Sequence, residues 1–128
     1  MSAALWLAAI YNIAWGAWAI LWPHAWFDWG GIARLNHPQI WQCVGMIVAV
    51  YGLGYAIAAV DPLRWWPLVL VGLVGKVLGP IGFLGAILDG TFPPAMGWTI
   101  LTNDLMWWLP FGMILWRALR PVPTNEIS

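Results

Sequence analysis

Long apolar runs, each closed by polar or helix-breaking residues, organise this chain. There are four, at about Ala4–Trp22, Ile40–Val60, Pro67–Leu88 and Trp98–Ala118. Each holds roughly 20 residues, the length an α-helix needs to cross about 30 Å of hydrocarbon. The interruptions are of the kinds that stop helices: Pro23, then Asp28, Gly30–Gly31 and Asn36–His37–Pro38, then Asp61–Pro62, then Asp89–Gly90 and Pro93–Pro94. Pro67 suits a first helical turn, where its missing N–H has no partner to lose. The pattern predicts an all-α polytopic membrane protein. It forms one domain over residues 1–128, with four transmembrane helices in an antiparallel bundle. The first connection is the longest, and it carries Trp26, Phe27, Trp29, Ile32 and Leu35 among polar residues. Such a segment is expected along the membrane interface.

Composition supports the same class. The chain is 62% hydrophobic and 8% charged, whereas soluble domains carry about 25% charged residues. A soluble fold this small has no core large enough for that apolar surplus. The 13 tryptophans fit a protein with much of its surface at headgroup level, where the ring is apolar and the indole N–H finds a partner. Membrane lipid is the partner this composition implies. Formal net charge is zero and no basic patch is present, so nucleic acid is not a partner. Nothing basic precedes the first apolar run, which is therefore read as a retained helix and not a signal peptide. Four spans put Arg64, Arg117 and Arg120 on one side and Arg34 alone on the other. The excess of arginine predicts both termini in the cytoplasm of a bacterial inner membrane.

The helices carry faces of small residues. Ala9, Asn12, Gly16 and Ala19 share one face of the first, and Gly45, Ala49, Gly52, Ala56 and Ala59 one face of the second. Gly72, Gly75, Gly79 and Gly82 do the same in the third. These stripes predict close backbone packing inside the bundle or against a second copy, and a homo-oligomer, a dimer first, is expected. Tyr11, Trp15, Trp18 and Trp22 form an aromatic stripe on the first helix that faces either lipid or a cavity.

Strongly polar groups at membrane depth are the candidate site. Lys76 lies mid-way along the third run and Asp104 about two turns into the fourth. An unpaired charge is costly there, and antiparallel geometry brings the two to similar depth, so an ion pair is expected. Asn103, Asn12, Tyr51 and Tyr55, with Thr102, complete one polar layer. Pro80 and Pro110 cannot donate to the carbonyls of residues 76 and 106, which exposes backbone acceptors near the same level.

A second cluster, His24, Asp28, His37, Gln42 and Cys43, lies toward the other surface. Its spacing matches no metal motif, so no metal and no cofactor are assigned. Cys43 is the single cysteine, and no Walker, GxSxG, HExxH or dinucleotide signature is present.

Several blocks of sequence resemble a known group. These are Tyr11-Asn12-Ile13-Ala14-Trp15-Gly16, Trp41-Gln42-Cys43-Val44-Gly45-Met46, Gly75-Lys76-Val77-Leu78-Gly79-Pro80-Ile81-Gly82 and the stretch from Leu101 to Phe111 around Asn103-Asp104. They resemble an uncharacterised family of small bacterial four-helix membrane proteins, some of whose members carry an alkyl hydroperoxide reductase label. That label implies paired cysteine chemistry, which a chain with Cys43 alone lacks. More distantly, size and helix count resemble the DoxX-like membrane proteins. The residues themselves support first a protein that binds or transports an ion or small solute at the polar layer. The alternatives are a membrane enzyme or redox accessory acting on a lipophilic substrate, and a structural or assembly subunit.

Overall fold

The computed structural model describes residues 1–123; residues 124–128 of the expected domain lie outside the described residues. The chain is all-α and multi-pass. Among the described residues three helices are long and apolar enough to cross a membrane: α1, Ser2–Leu21, α3, Pro38–Val60, and α4, Trp66–Leu88. Between α1 and α3 lies a short helix α2, Ala25–Gly30. Proline stands in the first turn of both α3 and α4, as expected for Pro67.

The fourth apolar run is helical but broken. A 3-10 turn over Pro94–Gly97 leads into one α-turn, Trp98–Ile100 (α5), then a π-helical turn, Leu101–Leu105, then α6, Met106–Leu119. The sequence pattern predicts a helix here with a freed carbonyl near Pro110, but not the π-helical turn that precedes it. The wide π-turn sits where Thr102, Asn103 and Asp104 follow one another, and π-turns of this kind gather at functional sites.

Small residues set how α1 meets α3. A Cβ built on Gly45 would stand 2.8 Å from the carbonyl oxygen of Gly16, and one on Gly52 would stand 2.9 Å from that of Ala9. No methyl group fits at those separations, so the two backbones touch because glycine is there. The pairing of 16 with 45 and of 9 with 52 makes the helices antiparallel. The glycine stripe of α4 behaves differently from the seam expected of it. Gly72 makes room for the ring of Tyr55 and Gly79 for the carboxylate of Asp104, while Gly75 and Gly82 meet no neighbour. Gly72 and Gly79 are recesses for side chains, and Gly75 and Gly82 are left open.

Two apolar clusters form, one toward each end. Leu5, Ala8, Ala9, Tyr55, Ala58, Ala59, Val69, Trp107, Phe111, Ile114 and Leu115 pack together at the end that holds the N-terminus. At the other end Trp26, Phe27 and Met96 pack with Trp18, Ile32, Trp41, Phe83 and Phe92. The first connection therefore folds back onto the bundle: α2 buries Trp26 and Phe27 and leaves Trp29 half exposed. Gly31 closes α2 in the left-handed conformation, φ 66°, which glycine adopts without strain. α1 packs closely on α3, and α4 on α6, whereas α3 and α4 touch sparsely. That gap positions the site.

Candidate functional site

The polar residues lie between the two apolar clusters and line one cavity of about 300 Å³. Asn12, Tyr51, Tyr55, Lys76, Asn103 and Asp104, the residues singled out in the sequence, all border it. Tyr11, Trp15, Ile47, Val48, Gly72 and Gly75 complete its wall.

Lys76 is only 6% exposed. Its Nζ donates to the backbone carbonyl of Asn103 at 2.6 Å, inside the π-turn. The rings of Tyr55, Trp107 and Phe111 stand 5.7, 5.9 and 5.9 Å from the ammonium, within cation–π range. The expected ion pair with Asp104 is not formed. Among the described residues the only ion pair is Arg34–Asp28, in the first connection. The reason lies in the π-turn: it turns the Asn103 carbonyl toward Lys76 and seats the Asp104 carboxylate in the recess at Gly79. Ammonium and carboxylate share one cavity without touching.

The other polar groups are held by specific partners. Asn12 donates through Nδ2 to the Val48 carbonyl at 3.3 Å, tying α1 to α3. The Tyr11 hydroxyl donates to Oδ1 of Asn103 and lies 3.1 Å from Oγ1 of Thr102. Tyr51 and Tyr55 meet edge to face, and Tyr51 remains 39% exposed at the gap between α3 and α4.

The carbonyl of Lys76, which Pro80 cannot serve, accepts the indole N–H of Trp108 at 2.9 Å. The indole of Trp107 donates to the carbonyl of Thr102 at 2.9 Å. Sequence reasoning found the orphaned acceptor but not its donor. A tryptophan one helix away at matching depth was the available signal.

Two more cavities adjoin the first. One, of about 330 Å³, is an apolar groove between α3 and α4, lined by Val50, Leu53, Gly54, Ile57, Leu68 and Val71. It shares Tyr51 and Tyr55 with the polar cavity. The other, of about 230 Å³, lies toward the α2 end and is walled by tryptophans, among them Trp15 and Trp18 of the aromatic stripe. Trp22, the last of that stripe, is 60% exposed on the outside.

The cluster of His24, Asp28, His37, Gln42 and Cys43 is not brought together. Asp28 pairs with Arg34 at 2.6 Å, and the hydrogen bond from that guanidinium holds its carboxyl below the usual carboxylate range. Gln42 donates to the Ile20 carbonyl at 2.9 Å, Cys43 is exposed, and His24 keeps its Nδ1 buried without a partner.

Over 97 residues the chain is 30% identical to heme A synthase of Cereibacter sphaeroides, and sequences from other strains of that species match to the same extent. The match covers 73% of this chain and 23% of theirs, so the chain spans about a quarter of the length of the curated relatives it matches. No protein-family model matches the chain, and no solved structure matches it. The chain is thus a small, mostly helical membrane protein distantly related to polytopic membrane proteins of the heme A synthase kind.

Proposed function

We propose that this chain takes the polar head of a lipophilic molecule from the bilayer into the chamber at Lys76, and acts on it there. The observation that carries this reading is the junction of two cavities between α3 and α4. An apolar groove meets the polar chamber at Tyr51 and Tyr55, so an amphiphile can lay its chain in the groove and its head beside Lys76. The distant relatives are named for heme A, itself a lipophilic molecule, and a membrane-embedded substrate suits a site reached through the bilayer. In the chamber Lys76 offers two unused ammonium donors and Asp104 a carboxylate on the same wall, the pieces of general acid–base chemistry. Service to an ion or a small solute, the reading first drawn from the residues, has less support, because the groove that meets the chamber is apolar.

Heme held through an axial histidine does not fit this chamber. Both histidines, His24 and His37, flank the first connection, and none borders the chamber.

The bundle that holds the chamber is read as four spans in one domain. The run from Trp98 to Leu119 would measure about 33 Å at the helical rise, enough to cross the hydrocarbon. With Arg64, Arg117 and Arg120 on one face, both termini lie in the cytoplasm of a bacterial inner membrane. The open glycines of α4, Gly82 and Gly85, offer a second copy a close approach and support a homodimer.

The test is native mass spectrometry of protein released gently from bilayers. Wild type should carry a lipophilic molecule in stoichiometric amount, and Lys76→Met should lose most of it. A wild type that carries only lipid in the proportions of the bulk membrane, indifferent to Lys76→Met, would contradict the reading.

A further inference from the structure

The cavity toward the α2 end is a box of aromatic rings drawn from distant parts of the chain. Tyr11, Trp15 and Trp18 come from α1, Trp26 and Trp29 from α2, and Trp98 from α5. Its rings meet at steep angles: Trp15 and Trp18 at 70° and Trp29 and Trp98 at 83°. Perpendicular rings make corners, so a guest between them meets a ring face on more than one side. The box assembles only because α2 folds back over the end of α1, and Trp29 and Trp98, each about half exposed, stand where a guest would enter.

The remaining polar wall is Thr99, Thr102 and Asn103. Thr99 donates its hydroxyl proton to the Met96 carbonyl at 2.7 Å, and Thr102 donates its own to the Thr99 carbonyl at 3.3 Å. What these hydroxyls can still offer is lone pairs. No charged side chain lines the box, so no resident cation competes for the rings.

We propose that this box binds a quaternary ammonium group. Ring faces are negative and attract cations, and a methylated ammonium has no N–H to satisfy, so it leaves water at lower cost than a lysine head does. The box gives such a group several ring faces and oxygen lone pairs, and the nearby Lys76 ammonium is turned to the Asn103 carbonyl and does not line the box. The box adjoins the Lys76 chamber, with which it shares Tyr11, Trp15 and Asn103, but it includes neither Lys76 nor Asp104. The group could arrive as a free organic cation or as the head of a choline lipid.

The full chain in phosphatidylglycerol nanodiscs, titrated calorimetrically with choline chloride, tests this. Choline should bind saturably, and its uncharged isostere 3,3-dimethylbutan-1-ol at least tenfold more weakly. Trp29→Leu and Trp98→Leu should each weaken choline by about three- to tenfold, the share of one ring, and Trp98→Phe by less. Lys76→Met, which removes a cation behind the shared Asn103, should leave choline binding as tight or tighter. Monomeric dihexanoylphosphatidylcholine displacing choline at lower concentration would identify a lipid head as the source, and failure to displace it a free cation. Absence of saturable binding, or equal binding of choline and its isostere by wild type, would overturn the proposal whether or not the variants fold. Loss of choline binding in Lys76→Met would overturn its assignment to this box.

Discussion

A single methyl group at Gly16 tests how the bundle is held. In Gly16→Ala the new Cβ would stand 2.8 Å from the Cβ of Ala49 and 3.0 Å from its backbone nitrogen, and it would press on the carbonyl of Gly45. Carbon atoms prefer about 3.5–4.0 Å, so α1 and α3 must part by roughly 1 Å. Overpacking of this kind costs about 1–3 kcal/mol. Alanine returns up to about 1 kcal/mol of helix propensity over glycine. Gly54→Ala gains the same propensity with nothing within 4 Å of its Cβ. The difference between the two variants cancels propensity and isolates the seam, at about 1–3 kcal/mol. Thermal unfolding followed by circular dichroism, at one fixed concentration of mild detergent, reads it. Gly16→Ala should melt well below Gly54→Ala, and Gly54→Ala at or slightly above wild type. Equal midpoints for the two would refute the seam. Because the same seam carries the Asn12–Val48 hydrogen bond on the chamber wall, Gly16→Ala should also loosen any bound ligand.

Other consequences are as direct. Trp108→Phe leaves the Lys76 carbonyl without its donor and should cost about 1–3 kcal/mol; Pro80→Ala supplies a backbone N–H, so the double variant should recover part of that loss in the same melting assay. Because Lys76 donates to Asn103 and not to Asp104, a double-mutant cycle of Lys76→Met and Asp104→Asn should show coupling of about 0.5–1 kcal/mol, not the 3–5 kcal/mol of a broken buried pair. Asp28 has its carboxyl pKa lowered by Arg34, so the pair's stabilisation is complete above the ordinary carboxylate pKa, near 3.8, and fades as pH falls through the lower folded value. The Arg34 Nε–H resonance in NMR spectra should accordingly hold steady from pH 7 to 5 and move only below about pH 4.

Much of this architecture is legible in the sequence because lipid imposes simple rules. Run length and proline placement located α1, α3 and α4 to within about two residues, and the stripes at Gly16 and Gly45 marked faces for close packing without saying which helices would meet. The membrane-depth polar residues also gathered as expected, since a polar group in hydrocarbon must find company. What was not legible depends on local backbone geometry. The π-turn at Leu101–Leu105 has no sequence signature, yet it decides that Lys76 meets a carbonyl and not the Asp104 carboxylate. The stripe from Gly72 to Gly82 looks like one packing seam by spacing alone; only the positions of Tyr55 and Asp104 reveal Gly72 and Gly79 as recesses, with Gly75 and Gly82 left open. The aromatic box was legible only in part: the stripe of Tyr11, Trp15 and Trp18 could face lipid or a cavity, and closing the box needs α2 to fold back on α1, a path not written in hydropathy.

The central claim is that an amphiphile reaches Lys76 through the gap between α3 and α4, and photolabelling within the bilayer tests it most directly. A fatty acid with a diazirine in mid-chain, incorporated in nanodiscs with the protein and activated by light, should label Val50, Leu53, Gly54, Leu68 and Val71 above the other lipid-facing residues. Peptide mass spectrometry should find that preference reduced several-fold in Lys76→Met, because the head has lost its anchor. Labelling spread evenly around the outer faces of α1, α3, α4 and α6, unchanged by Lys76→Met, would contradict the account.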